Sequence, residues 1–225
     1  MSARRPWWHW NHNAHFHAYL LDRLPSSFER GLDVGCGTGT FARALAARAA
    51  QLDAIDVDSA VVDAARLTTP QPTNIRWLIG DVLTSDLPLQ AYDVVTAIAS
   101  LHHLPLEQGL RRLAALIRPT GHLAVVGLAR AASFRDYLPA LATLPIDPVV
   151  GAFKALGRRD RLHPDEPPVP LRDPTTTVAE VEAAAQQLVP GAALSRHLFY
   201  RYTLIWQKSA TGETPEPLAE NQPVR

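Results

Sequence analysis

Eight residues, Leu32-Asp33-Val34-Gly35-Cys36-Gly37-Thr38-Gly39, limit what this chain can become. An apolar segment ends at Val34, three glycines follow at alternate positions, and residues 41–50 are an Ala/Leu/Arg stretch that reads as a helix. Glycine admits positive φ and lets a ligand lie against bare backbone. A helix start adds free N–H groups and the positive end of a dipole, which suit a carboxylate or a phosphate equally. A strand, a glycine turn and a helix in this order form the opening unit of an α/β sheet, whose ligands bind at the carboxyl ends of its strands.

The rest of the chain repeats the alternation. Strands are expected over 31–34, 52–57, 74–79, 92–98 and 122–128, with helices over 41–50, 59–67 and 106–117 between them. Asp58 is placed to cap the second of these helices. Pro119 and Gly121 are expected to close the third. Alternating strands and helices predict a parallel sheet covered on both faces. Thr177 and Glu180 have the spacing of a capping box, opening a helix to Leu188. Residues 192–198 and 200–207 read as strands close enough to pair as a hairpin, with Tyr200-Arg201-Tyr202 taken as edge packing.

Three regions stand outside this pattern. Residues 1–28 form a Trp- and His-rich head that turns helical near Tyr19 and stops at Pro25. Residues 134–174 carry seven prolines from Pro145 to Pro174, too many for long helices, and read as an insertion over the active-site side. Residues 209–225 read as a disordered tail, leaving 29–208 as the main domain.

Basic and acidic residues balance at 22 each, against the basic excess of a nucleic-acid binder. The single cysteine, Cys36, excludes an internal disulfide and points to a reducing compartment. No apolar run has the length of a membrane span, so a soluble cytoplasmic protein is expected. Cys36 has no base near it in sequence and reads as structural.

Asp56 ends the second strand, 21 residues after Gly35, where a carboxylate can take both hydroxyls of a ribose. The loop therefore serves an adenosine-type ligand. The dinucleotide pattern fails counted from Gly35, because Thr40 stands at its last position, and survives in loose form counted from Gly37. Residues 32–39 resemble the first motif of class I S-adenosylmethionine (SAM)-dependent methyltransferases. Gly80-Asp81, Tyr92-Asp93-Val94-Val95, Ser100-Leu101-His102-His103-Leu104 and the 117–123 segment resemble later motifs of that family in its order, with Thr120 where the family commonly has glycine.

The resemblance implies a Rossmann-like doubly wound sheet of about seven strands, mostly parallel, with a C-terminal antiparallel hairpin and helices on both faces. It implies that Asp33, Gly35, Gly37 and Gly39 face the methionine part of SAM, that Asp56 holds the ribose, that Val57 belongs to the cofactor-binding residues, that Asp81 takes the adenine amino group with Val82 nearby, and that Ser100 and Leu101 line the reacting end. S-adenosylhomocysteine is the implied product.

His102 and His103 follow the fourth strand and are the candidates for a general base. Trp10, His12 and His15, with Trp7, Trp8, Phe16 and Tyr19, read as a lid whose inward side chains, with His102, meet the substrate. A metal is not expected at the head, since only Asp22 lies near its histidines. The Arg158-Arg159-Asp160-Arg161 knot reads as a solvated face. The expectation is methyl transfer to O, N or C of a small metabolite, with no nucleic-acid or membrane partner. An NAD(P)-dependent oxidoreductase and a non-catalytic nucleoside-binding regulator stand as alternatives.

Overall fold

A computed structural model describes residues 12–130, 174–197 and 201–210, with side chains from Phe16 onward. The chain runs α1 (His12–Leu21), β1 (Phe28–Val34), α2 (Thr40–Ala46), β2 (Ala49–Asp56), α3 (Ser59–Thr68), β3 (Ile75–Ile79), β4 (Tyr92–Ile98), a 3-10 turn (Leu101–His103), α4 (Leu106–Leu116), β5 (Ile117–Leu128), α5 (Val178–Leu188), β6 (Ala193–His197) and β7 (Arg201–Gln207). The strands form one sheet in the order β3-β2-β1-β4-β5-β7-β6. The first five are mutually parallel where they pair, and β7 runs antiparallel to β5 and β6. The order reverses between β1 and β4, the switch point where doubly wound sheets bind ligands.

Helices cover both faces, as alternation requires. On one face Leu32, Val34, Val95, Leu110, Leu113 and Tyr202 pack together beneath α4 and α5. On the other, Phe16, Leu20, Phe41, Leu45, Val94 and Val126 pack beneath α1, α2 and α3. Neighbouring residues of β4, Val94 and Val95, thus enter different cores, which is why that strand reads as one apolar run. Among the described residues no helix is long and apolar enough to cross a membrane.

Local chemistry holds where it was read. Asp58 Oδ1 accepts the Ala60 N–H at 2.9 Å to start α3. Thr177 and Glu180 form the reciprocal capping box of α5. Several boundaries differ from expectation, and β1 from Phe28 and β2 from Ala49 each begin three residues before the expected strand. Helix α2 ends at Ala46 because Ala49 pairs with Phe28, and sheet pairing overrides the helix propensity of alanine. Strand β5 begins at Ile117, ahead of Pro119, and absorbs the extra residues as a bulge between Tyr92↔Ile117 and Val94↔His122. Thr120 takes φ 67° in that bulge, the left-handed conformation that explains a family glycine there.

Strand β7 is internal rather than an edge, and the Tyr202 ring lies over Gly127, where a Cβ would come within 2.0 Å of it. Lys208, only 2% exposed, closes the end of α4 by donating to Ala114 O at 3.0 Å and Ile117 O at 2.9 Å. The Pro-rich insertion, the Arg158–Arg161 knot and the tail beyond residue 210 lie outside the described residues.

Candidate functional site

The glycine loop crosses the switch point between β1 and α2, and its three glycines do different work. All have positive φ, at 69° for Gly35, 51° for Gly37 and 80° for Gly39. A Cβ on Gly35 would lie 2.3 Å from Ser100 Cβ, and one on Gly39 would lie 2.3 Å from the Trp77 ring. Gly35 and Gly39 thus let the loop pack against β4 and β3. A Cβ on Gly37 would meet nothing within 4 Å, so Gly37 is the glycine with bare backbone facing open space.

The loop's donors are largely spent inside the protein. Gly35 N–H and Cys36 N–H donate to Ile55 O, at 2.8 Å and 3.1 Å, and Gly39 N–H donates to Cys36 O at 2.9 Å. Gly37 N–H donates to Asp56 Oδ2 at 2.9 Å, and Asp58 N–H donates to Asp56 Oδ1 at 3.0 Å. A carboxylate offers about four acceptor sites, so Asp56 keeps two for a ligand. Helix α2 has only seven residues, so the dipole contribution expected there is small. The loop offers a close approach beside carboxylates rather than a nest of donors for pyrophosphate.

Asp33 is 2% exposed, on the face opposite Leu32 and Val34. The Thr96 hydroxyl lies 2.7 Å from Asp33 Oδ1 and 3.4 Å from Leu32 O. Burial pushes the Asp33 carboxyl up to about 7, against the Thr96 hydrogen bond and with help from Asp56. Burial, with Asp33 and Asp56 nearby, also pushes the Cys36 thiol up, so it stays neutral.

Val57 and Ile79 are 69% and 49% exposed. They lie at the adjoining ends of β2 and β3, where Asp56, the residue before Val57, pairs with Ile79. Two large apolar side chains open to solvent at a ligand edge suit the faces of a flat heterocycle. Asp81, half-buried, accepts Leu83 N–H at 2.9 Å and keeps acceptor sites outward. Val82 is 4% exposed within the core beneath α4, so its side chain does not reach this edge. Ser100 is also turned inward, donating to Val34 O at 2.7 Å, and ties the end of β4 to the end of β1. Leu101 is buried in the same core as Val82.

The other half of the edge lies past β4. The rings of His102 and His103 lie with centroids 4.1 Å apart and planes tilted by 38°. His102 Nδ1 is enclosed without a hydrogen-bond partner among the described residues. Burial, then the neighbouring His103 and Arg201, pushes His102 down to about 4, so its ring is neutral near pH 7. A group with so low a pKa is a weak general base there and a good hydrogen-bond partner. Trp10 lies outside the described residues, and His12 and His15 fall in α1 with side chains outside them. The described part of α1 instead closes on the hairpin. Phe16 and Tyr19 meet the His197 ring edge-on at 5.0 Å and 5.5 Å, and His197 Nε2 lies 2.9 Å from Thr203 Oγ1.

A methyltransferase-domain family model matches residues 32–121, from the strand before the glycine loop to the bulge of β5. An uncharacterised methyltransferase of Mycobacterium tuberculosis is 34% identical over 201 residues, covering 88% of this chain and 96% of the relative. The chain belongs to the class I SAM-dependent methyltransferases. A ubiquinone biosynthesis O-methyltransferase of Coxiella burnetii is 30% identical over 122 residues, 53% of this methyltransferase and about half (51%) of the relative. The N-methyltransferase NodS of Bradyrhizobium japonicum, solved with S-adenosylhomocysteine, shares the fold at a TM-score of 0.57 and 16% identity, over 90% of this chain and 87% of its own.

Sequence reasoning missed three residues of the site. Ile79 is the last residue before Gly80-Asp81, and its exposure shows only in the fold. Thr96 is the one hydroxyl in the otherwise apolar second half of β4. Arg201, half-buried where β7 begins, is a charge opening a buried strand.

Proposed function

We propose that this methyltransferase transfers the methyl group of SAM to an O, N or C atom of a small-molecule acceptor. The observation that carries this reading is the open backbone of Gly37 beside Asp56, at the end of the sheet where Val57 and Ile79 are exposed. Bound there, SAM supplies a methyl group activated by its positive sulfur. Asp56 would hold the ribose, Val57 and Ile79 the two faces of the adenine, Asp81 the adenine amino group, and Asp33 the ammonium end.

His102 stands on the acceptor side of the same edge. Held neutral, it would accept or donate a hydrogen bond that orients the nucleophile, rather than carry away its proton. Alignment alone can supply much of the acceleration in a displacement of this kind. The small-molecule reading is supported by the balanced charge and by the named activity of the Coxiella relative. The oxidoreductase alternative loses its support with the family assignment, and with a loop whose Gly35, Cys36, Gly37 and Gly39 N–H groups are all consumed internally.

Calorimetry with SAM, S-adenosylhomocysteine and NAD tests the cofactor half. Both adenosyl ligands should bind and NAD should not, and Asp56→Ala should lower SAM affinity at least tenfold. Unchanged affinity in that variant refutes the ribose role. Turnover of labelled SAM with hydroxyl-, amine- and enol-bearing acceptors tests the other half. His102→Asn should slow turnover without moving its pH profile between pH 6 and 8. A profile that loses a limb in that range would make His102 the base after all.

A further inference from the structure

Asp33 is built into the site with a place to keep a proton. Its carboxylate is 2% exposed, and among the described residues its hydrogen-bond partner is the Thr96 hydroxyl at 2.7 Å. That hydroxyl also reaches Leu32 O at 3.4 Å. The geometry accommodates both states of the acid. When Asp33 is neutral, it can donate to Thr96 Oγ1 while the Thr96 proton turns to Leu32 O. When Asp33 is ionised, Thr96 turns back and donates to it.

The charged and titratable surroundings favour the neutral state. Asp56 at the end of β2 is a like charge, and Cys36 in the loop is a neutral buried thiol. From α2, Arg43 directs its guanidinium to Thr38 O at 2.9 Å, and from α1, His17 packs against Phe41 at 5.0 Å. Neither contact is with Asp33. Thr96 is the partner that β4 presents.

We propose that Asp33 and Thr96 form a proton-holding pair that couples SAM binding to release of a proton. In the ligand-free protein Asp33 keeps the proton. When the cationic cofactor binds, the O–H bond of Asp33 breaks, the electron pair stays on the carboxylate, and the proton passes to solvent. Thr96 is the positioning residue, because its hydroxyl serves either state. The inference rests on the proposed cofactor site and adds a pH dependence to it.

The test is calorimetric titration of the ligand-free protein with SAM at pH 6.0 and pH 8.5, in buffers of different ionisation enthalpy. The slope of observed enthalpy against buffer enthalpy counts protons released. About one proton per SAM should leave at pH 6.0, and at pH 8.5 the count should match that of Asp33→Asn, which leaves only the ligand's own amino group to titrate. SAM affinity should rise about tenfold from pH 6 to pH 8, beyond the change that Asp33→Asn shows from the ligand's own titration. Thr96→Val should carry this transition to higher pH, and Thr96→Ser should restore it. SAM binding with no proton released at pH 6.0 by the unmodified protein overturns the inference while leaving the cofactor site intact. Absence of SAM binding at both pH values refutes the cofactor site itself.

Discussion

Two buried aspartates on neighbouring strands have opposite surroundings. Asp53 of β2 is 4% exposed and Asp33 of β1 is 2% exposed. Asp53 receives Arg76 at 2.7 Å and 2.8 Å, Arg30 at 3.0 Å and the Tyr92 hydroxyl at 2.7 Å. Burial pushes its carboxyl up, but the hydrogen bonds from Arg76, Tyr92 and Arg30 outweigh that and hold it below the usual range. Asp33, on the other face of the sheet, meets one hydroxyl and a like charge. A buried carboxylate whose charge is matched by its own chain belongs to the architecture. One left without such a match belongs to whatever arrives.

Removing the matched carboxylate has the largest expected effect. Asp53→Ala strands the buried Tyr92 hydroxyl and two arginines, which are 31% and 58% exposed at the side chain and so partly rescued by water. A loss of about 2–3 kcal/mol in urea unfolding is expected, with SAM affinity nearly unchanged in the folded fraction. If SAM affinity fell in step with stability, the two aspartates would not be separable by function.

Asp33→Asn should do the reverse. Asparagine resembles the neutral acid, so unfolding free energy should hold or rise near pH 8, while SAM affinity falls about tenfold or more, about 1.4 kcal/mol. A loss of fold at every pH would make Asp33 architectural like Asp53.

The same pair sharpens by pH. The folded Asp33 is raised to about 7, so its contribution is present below the unfolded carboxylate range and is lost as pH rises towards 7. The folded Asp53 is lowered, so its contribution is present above that range and is lost as pH falls below it. Thermal unfolding of the ligand-free protein should therefore lose its decline between the unfolded carboxylate range and pH 7 in Asp33→Asn, and its acid-side decline in Asp53→Ala. Identical profiles in both variants would erase the distinction.

The smallest effect concerns a residue strained for no gain in the site. Thr120 holds φ 67° in the β5 bulge, and Thr120→Gly should relieve about 1 kcal/mol, partly offset by glycine's chain entropy. The midpoint of denaturation should rise slightly with SAM affinity unchanged.

What the sequence made legible was what short-range chemistry decides. β4 spans the expected residues, Asp58 and Thr177 cap the expected helices, and Gly37 with Asp56 adjoin at the expected edge. Where a side chain's direction decides its role, residue type alone misled. Ser100 and Val82 sit at the right loops but turn into the protein, while Ile79, read only as the end of a strand, turns out. The end of α2 was read too late because alanine's preference yields to a pairing partner 21 residues away, Phe28 with Ala49. The histidine reading shifted for a similar reason. His102 lies where a base was sought, but burial beside Arg201 and His103 makes it a neutral partner.

A crystal structure of the methyltransferase with S-adenosylhomocysteine tests the central claim most directly. The ligand should lie against Gly37, with ribose hydroxyls on Asp56, adenine between Val57 and Ile79, and the amino group towards Asp33. A ligand seated elsewhere, or one whose ribose leaves Asp56 bonded only to Gly37 and Asp58, would contradict it.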